Sequence, residues 1–182
     1  MFKETEKKTY VIIKNDENWR PKFYVWAKGY GRVIGLLQNI EVDKKKITST
    51  QWPNAWKEIT IHNLNMEMVS TDWQFQVQLP LYSSIARSVL NALAGKDELD
   101  NIHLNIYNNK NGLRAISVRK SDGKDDYYSP KYTREEELSM IEMKIDKGEE
   151  KKDYDKLSDR YVKELLPIIK DKISKQYKEV KE

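Results

Sequence analysis

Cysteine is absent from this chain of 182 residues, and histidine occurs only as His62 and His103. The first absence excludes disulfides and thiolate zinc sites; the second leaves too few imidazoles for a histidine-rich metal centre. No apolar run approaches the roughly 20 residues that span a bilayer, and residues 1–8 lack the apolar core of a secretory signal. Internal repeats and low-complexity tracts are missing, as are a Gly-rich phosphate loop, a nucleophile elbow and a paired-histidine metal motif. These absences set the expectation of a cytoplasmic, non-enzymatic protein without metal or cofactor and without membrane attachment.

What is present is charge and pattern. Charged residues make up 34% of the chain and apolar ones 38%, which suits one modest core. Residues 1–132 carry 20 Lys+Arg against 15 Asp+Glu, and residues 133–182 carry 13 against 14. The positive excess therefore sits in the first two thirds, where it fits an anionic polymer partner.

Period-two patterning marks three strand-like runs: Arg32–Val42, Trp56–Leu64 and Thr71–Leu79. In the first, Ile34, Leu36, Ile40 and Val42 share a face and Gly35 marks a sharp bend. Ile59 and Ile61 are the buried positions of the second. The third places Trp73, Phe75, Val77 and Leu79 inward, with Asp72, Gln74, Gln76 and Gln78 outward. Leu81, Ile85, Val89 and Leu93 recur every four residues, which predicts a short amphipathic helix over 81–94 that ends at Gly95. A hairpin follows, Asn101–Tyr107 and Leu113–Lys120, with Ile102, Leu104, Ile106, Ile116 and Val118 inward.

Three strands, a helix, then two strands is the order of a five-stranded OB-fold barrel, mainly β with α. The expected organisation is an N-terminal arm over 1–31, the barrel over 32–132 and a C-terminal helical extension over 133–182. In the extension, Thr133 followed by Glu135–Glu137 reads as a helix start, and Gly148 with its charged neighbours as a connector. Tyr154, Leu157, Tyr161, Leu165, Ile168 or Ile169, Ile173 and Tyr177 form a narrow helical stripe, interrupted by Pro167. That stripe must lie on the barrel or on a second subunit.

An OB barrel binds single strands through one sheet face and two loops, using aromatics to stack bases and cations to neutralise phosphates. Both loops here have that chemistry. The first sets Lys44, Lys45 and Lys46 beside Trp52 and Trp56; the second gathers Tyr107, Lys110 and Arg114, with Arg119 on the adjoining strand. Each group has a plainer alternative. The lysines could be a solvated turn, the tryptophans a cap on the barrel's end, and Tyr107 with Arg119 a cross-strand pair. The Tyr127, Tyr128, Lys131, Tyr132 cluster reads either as binding surface or as packing against the C-terminal helices, and Trp26 and Tyr30 lean structural. Glu41, Asp43 and Asp72 with Lys45 imitate a metal-dependent nuclease set, but each falls at a turn or a solvent-facing position.

On the segments 35–40, 56–61, 73–77, 88–94, 102–107 and 131–136, the chain resembles the OB-fold single-stranded-DNA-binding proteins of tailed bacteriophages and prophages. The resemblance implies a protein that coats and protects single-stranded DNA in replication or recombination, in the host cytoplasm. Self-association or phage replication and recombination proteins are the further partners it implies. The acidic tail by which bacterial single-strand binders recruit partners has no counterpart in the closing Lys-Glu-Val-Lys-Glu. The alternative is an OB-fold protein-interaction module that acts through the C-terminal helix.

Overall fold

The computed structural model describes residues 9–53, 55–71, 73–123 and 125–181, the last five of these for backbone alone. Expectations that involve residues 1–8, Asp72 or the Tyr177 side chain lie outside the described residues.

The chain orders as β1 (Tyr10–Asn15), β2 (Pro21–Val25), β3 (Lys28–Tyr30), β4 (Arg32–Thr48), β5 (Glu58–Val69), β6 (Gln74–Pro80), α1 (Ser84–Leu93), β7 (Asn101–Asn108), β8 (Arg114–Arg119), α2 (Arg134–Met140), β9 (Glu142–Asp146), β10 (Glu149–Asp153) and α3 (Tyr154–Lys181). Eight strands make one sheet in the order β3-β2-β1-β6-β5-β4-β7-β8, while β9 and β10 form a separate hairpin. The sheet is an open half-barrel that curls through 255° and leaves its edges 13 Å apart.

This architecture corrects the expected closed, five-stranded OB barrel. Five strands in the order β6-β5-β4-β7-β8 would close only if β8 reached β6. The free side of β6 is instead taken by β1, in parallel, with Tyr10 opposite Gln76 and Val11 opposite Val77. The hairpin strands β2 and β3 then extend that edge. Residues 10–30, read from sequence as an arm, thus supply three strands. Their charges hid them: Val11 and Phe23 are fully buried in the core, while Ile13 and Val25 pack against it only in part.

Two further corrections concern β4. A bulge lies between Leu37 and Asn39, where an extra residue shifts the parity of a strand. Val33 and Leu37 therefore face the core before it and Ile40 after it, while Ile34 and Leu36 are 38 and 37% exposed. The strand also runs on through Lys44, Lys45 and Lys46, which pair with His62, Ile61 and Thr60 of β5. Gly35 sits where β5 ends, and a Cβ there would lie 2.9 Å from the Val69 carbonyl oxygen.

The helix α1 is capped by the Ser83 hydroxyl, which accepts from the Ala86 amide, and it buries Ile85, Val89 and Leu93. A Cβ at Gly95 would fall 1.6 Å from the Ser129 carbonyl oxygen, so the returning chain packs directly on that glycine. Asp97 ties down the same return. Its carboxylate accepts from the Ser129 amide at 2.6 Å and from Lys120 at 3.1 Å. The Ser129 amide, then Lys120, hold its carboxyl below the usual range against partial burial. The Lys172 ammonium donates to the carbonyls of Leu93, Gly95 and Asp97, closing the C-terminal end of α1.

Thr133 starts α2, as the sequence predicts, and closes a capping box with Glu136. Residues 142–153 form a hairpin where a connector was expected. Lys147 and Gly148 both take positive φ at its turn, the geometry a two-residue hairpin loop requires. The helix α3 runs unbroken through Pro167. A mid-helix proline costs about 3 kcal/mol, and here the burial of Leu165, Leu166 and Ile169 around it offsets that cost. The α3 stripe lies on α1 and β4 of its own chain, so Leu157, Tyr161, Leu165, Ile169 and Ile173 are already covered.

Candidate functional site

The residues expected at the site are not gathered in one place. Lys44, Lys45 and Lys46 are exposed on the strand pair that carries the β4–β5 loop. Strand alternation sets Lys44 and Lys46 on the side of Ile40 and Val42, and Lys45 on the other. Lys46 lies 3.7 Å from Glu58. In the loop, Trp52 is 89% and Trp56 81% exposed, so neither caps the barrel's end. Ser49, itself buried, accepts from the Trp56 amide through its carbonyl at 2.6 Å and from the Gln51 amide through its hydroxyl at 3.2 Å. The loop is held at its base while its indoles stand in solvent.

The register places the β7–β8 hairpin at the other end of β4, with Asn105 opposite Arg32. Tyr107 is half exposed and Lys110 exposed at that hairpin. Arg114 is committed within the fold: its Nε and Nη2 donate to Asn15 Oδ1 at 3.2 and 2.9 Å, linking β8 to β1. Arg119 Nη2 donates to Tyr127 Oη at 2.9 Å, and its guanidinium lies 4.8 Å from that ring's centroid. Tyr128 is buried and donates to the Asn101 carbonyl. Tyr132 stacks on Tyr161 at 5.7 Å and donates to Glu164, so it packs against α3.

Two aromatics outside the expected site resemble the loop tryptophans. Trp19, in the β1–β2 turn, is 78% exposed, and Trp26, in the β2–β3 turn, is 83% exposed rather than structural. The signal for the first was the Asn15, Asp16, Asn18 cluster, a turn composition. Asp16 accepts from the Asn18 and Arg20 amides, both at 2.9 Å. The Arg20 amide, followed by Lys22 and the Asn18 amide, holds its carboxyl below the usual range. Trp19, Trp26 and Trp56 all have positive φ. The fifth tryptophan, Trp73, is 41% exposed and packs on Phe75 with ring centroids 4.5 Å apart.

Among the described residues, no group of three or more His, Asp or Glu side chains could hold a metal ion. Glu41 and Asp43 sit within β4, and Asp72 lies outside the described residues. No helix of the described residues is long and apolar enough to cross a membrane.

The fold defines an open, eight-stranded half-barrel braced by helices. No family model, no curated protein and no solved structure matches the chain. The resemblance to bacteriophage OB-fold single-strand binders is therefore withdrawn: the sheet lacks the closure of that fold, and no relative supports a phage origin.

Proposed function

We propose that this protein binds single-stranded nucleic acid without sequence preference, bases stacking on its exposed tryptophans while Lys44, Lys45 and Lys46 neutralise phosphates. One observation carries the reading: Trp19, Trp26, Trp52 and Trp56 are each more than three-quarters exposed, and three of the four occupy the left-handed backbone region. A bulky residue in that region costs about 1–3 kcal/mol, and such strain concentrates where a side chain is presented for use. An indole has a π-face for any base, and stacking contributes about 1–3 kcal/mol per base. The ligand class is single-stranded DNA or RNA, told apart by contact with the 2′-hydroxyl. Such a protein would coat and protect single strands in the cytoplasm during replication or recombination.

The test is tryptophan fluorescence during titration with oligo(dT), at several salt concentrations and against duplex DNA. Saturable quenching that prefers the single strand supports the reading, with affinity falling at a log-log slope of about −0.7 per neutralised phosphate. A flat response together with no mobility shift contradicts it.

A further inference from the structure

The outer face of β4, β7 and β8 carries a second cluster of cationic and polar groups. Ile34, His103 and Arg119 lie opposite one another across the three strands, and Arg32, Asn105 and Ser117 form the adjacent row. With neighbouring strands about 4.8 Å apart and alternate residues about 7 Å apart, the six positions fit a patch of roughly 10 by 7 Å.

Three side-chain atoms of this patch, His103 Nδ1, Ser117 Oγ and Arg119 Nε, are shielded from solvent with no hydrogen-bond partner among the described residues. His103 is only 9% exposed. A shielded polar atom without a partner costs about 1–3 kcal/mol, and Ser117 Oγ and Arg119 Nε are two such atoms on this one face.

An anion already stands at the rim. After β8 the chain turns back, with Lys120 N donating to the Asp126 carbonyl and Tyr127 bridging to Arg119. That loop carries Asp122 over the face, where its carboxylate is bound by Arg32 and lies 3.5 Å from His103 Nδ1. Asp122 remains 69% exposed. A carboxylate bound by an arginine and lying beside a histidine, on an exposed loop, stands where a tetrahedral oxyanion would meet the same groups.

We propose that Arg32, His103, Ser117 and Arg119 form a phosphate-binding site, its Arg32 and His103 side occupied in the free protein by the carboxylate of Asp122. Arginine forks and short hydroxyls are ordinary phosphate ligands. The assignment of the phosphate to a nucleic-acid backbone rests on the function proposed above; the site itself does not.

The chain has two histidines, so their ring resonances report the site directly, with His62 on β5 as the internal control. The full-length protein is titrated with inorganic phosphate and with pyrophosphate, against chloride at matched ionic strength. His103 should shift saturably while His62 stays, and Arg119→Gln should abolish the shift. Asp122→Asn, on an exposed loop and therefore safe for folding, should tighten binding about 2- to 5-fold, the range of a surface ion pair. A His103 response no larger than that to chloride, or no gain in Asp122→Asn, overturns the proposal. A parallel oligo(dT) titration separates the two claims. Tryptophan quenching with His103 unmoved by phosphate and oligonucleotide removes the site and leaves the function. A phosphate-dependent His103 shift with neither quenching nor an oligo(dT) shift keeps the site and removes the nucleic-acid reading.

Discussion

The two faces of β7 and β8 are built from alternating residues of the same strands, yet they answer to different physics. Inward, Ile102, Leu104, Ile106, Ile116 and Val118 merge into the core with the inner residues of the other strands. Outward stand His103, Asn105, Tyr107, Ser117 and Arg119. Ile116 and His103 are equally exposed, at 9%. Burial alone therefore does not separate the faces. An apolar side chain needs no partner once dry, whereas a dry imidazole, hydroxyl or guanidinium does. The inner face is complete as folded, and the outer face has donors left over.

The largest expected effect breaks the inner face. Leu104→Ala should lower the unfolding free energy by about 2–5 kcal/mol in urea titration. Gly95→Ala comes next, at about 3 kcal/mol, because its methyl meets the Ser129 backbone, which has little room to move. Lys172→Met tests a polar group whose partners are satisfied: it strips three carbonyls of one donor and should cost about 1–3 kcal/mol. Ser117→Ala sharpens the comparison from the opposite side. Deleting a dry hydroxyl without a partner should change stability by less than about 0.5 kcal/mol or raise it. A loss as large as that of Lys172→Met would mean that the hydroxyl has a partner.

Asp97 gives the pH dependence. Its folded carboxyl is held below its unfolded value of about 3.9. The stability it contributes is thus present above that value and lost as pH falls through the folded one. The difference in urea midpoint between wild type and Asp97→Asn should be widest near pH 7 and shrink below about pH 4. A constant gap would show that the aspartate acts through something other than its charge.

The hairpin of β7 and β8, the helix α1 and the cap at Thr133 were legible in the sequence because their patterns are unbroken and their turn or cap residues stand at the ends. The facing of Ile34 and Leu36 was not legible, since the bulge after Leu37 changes parity without a glycine to announce it. The lysine triplet looked like a loop because lysine has little strand preference, but the pairing of β4 with β5 carries it through. Openness was the least visible feature. It depends on β1 joining β6 through the pairs Tyr10 with Gln76 and Val11 with Val77, a long-range event that local pattern does not encode. Of the candidate site, Trp52, Trp56 and the lysines were legible as residue types. Their separation from Tyr107 and Arg119 was not, because it follows from register along β4.

Binding through exposed indoles is tested most directly by comparing oligo(dT) affinity of the wild type and of Trp52→Ala/Trp56→Ala at one fixed salt concentration. Both side chains are more than 80% exposed, so the double variant should unfold within about 0.5 kcal/mol of wild type. Its affinity should fall by at least about fivefold, the equivalent of one lost base stack. Equal affinity in a folded double variant would contradict the account.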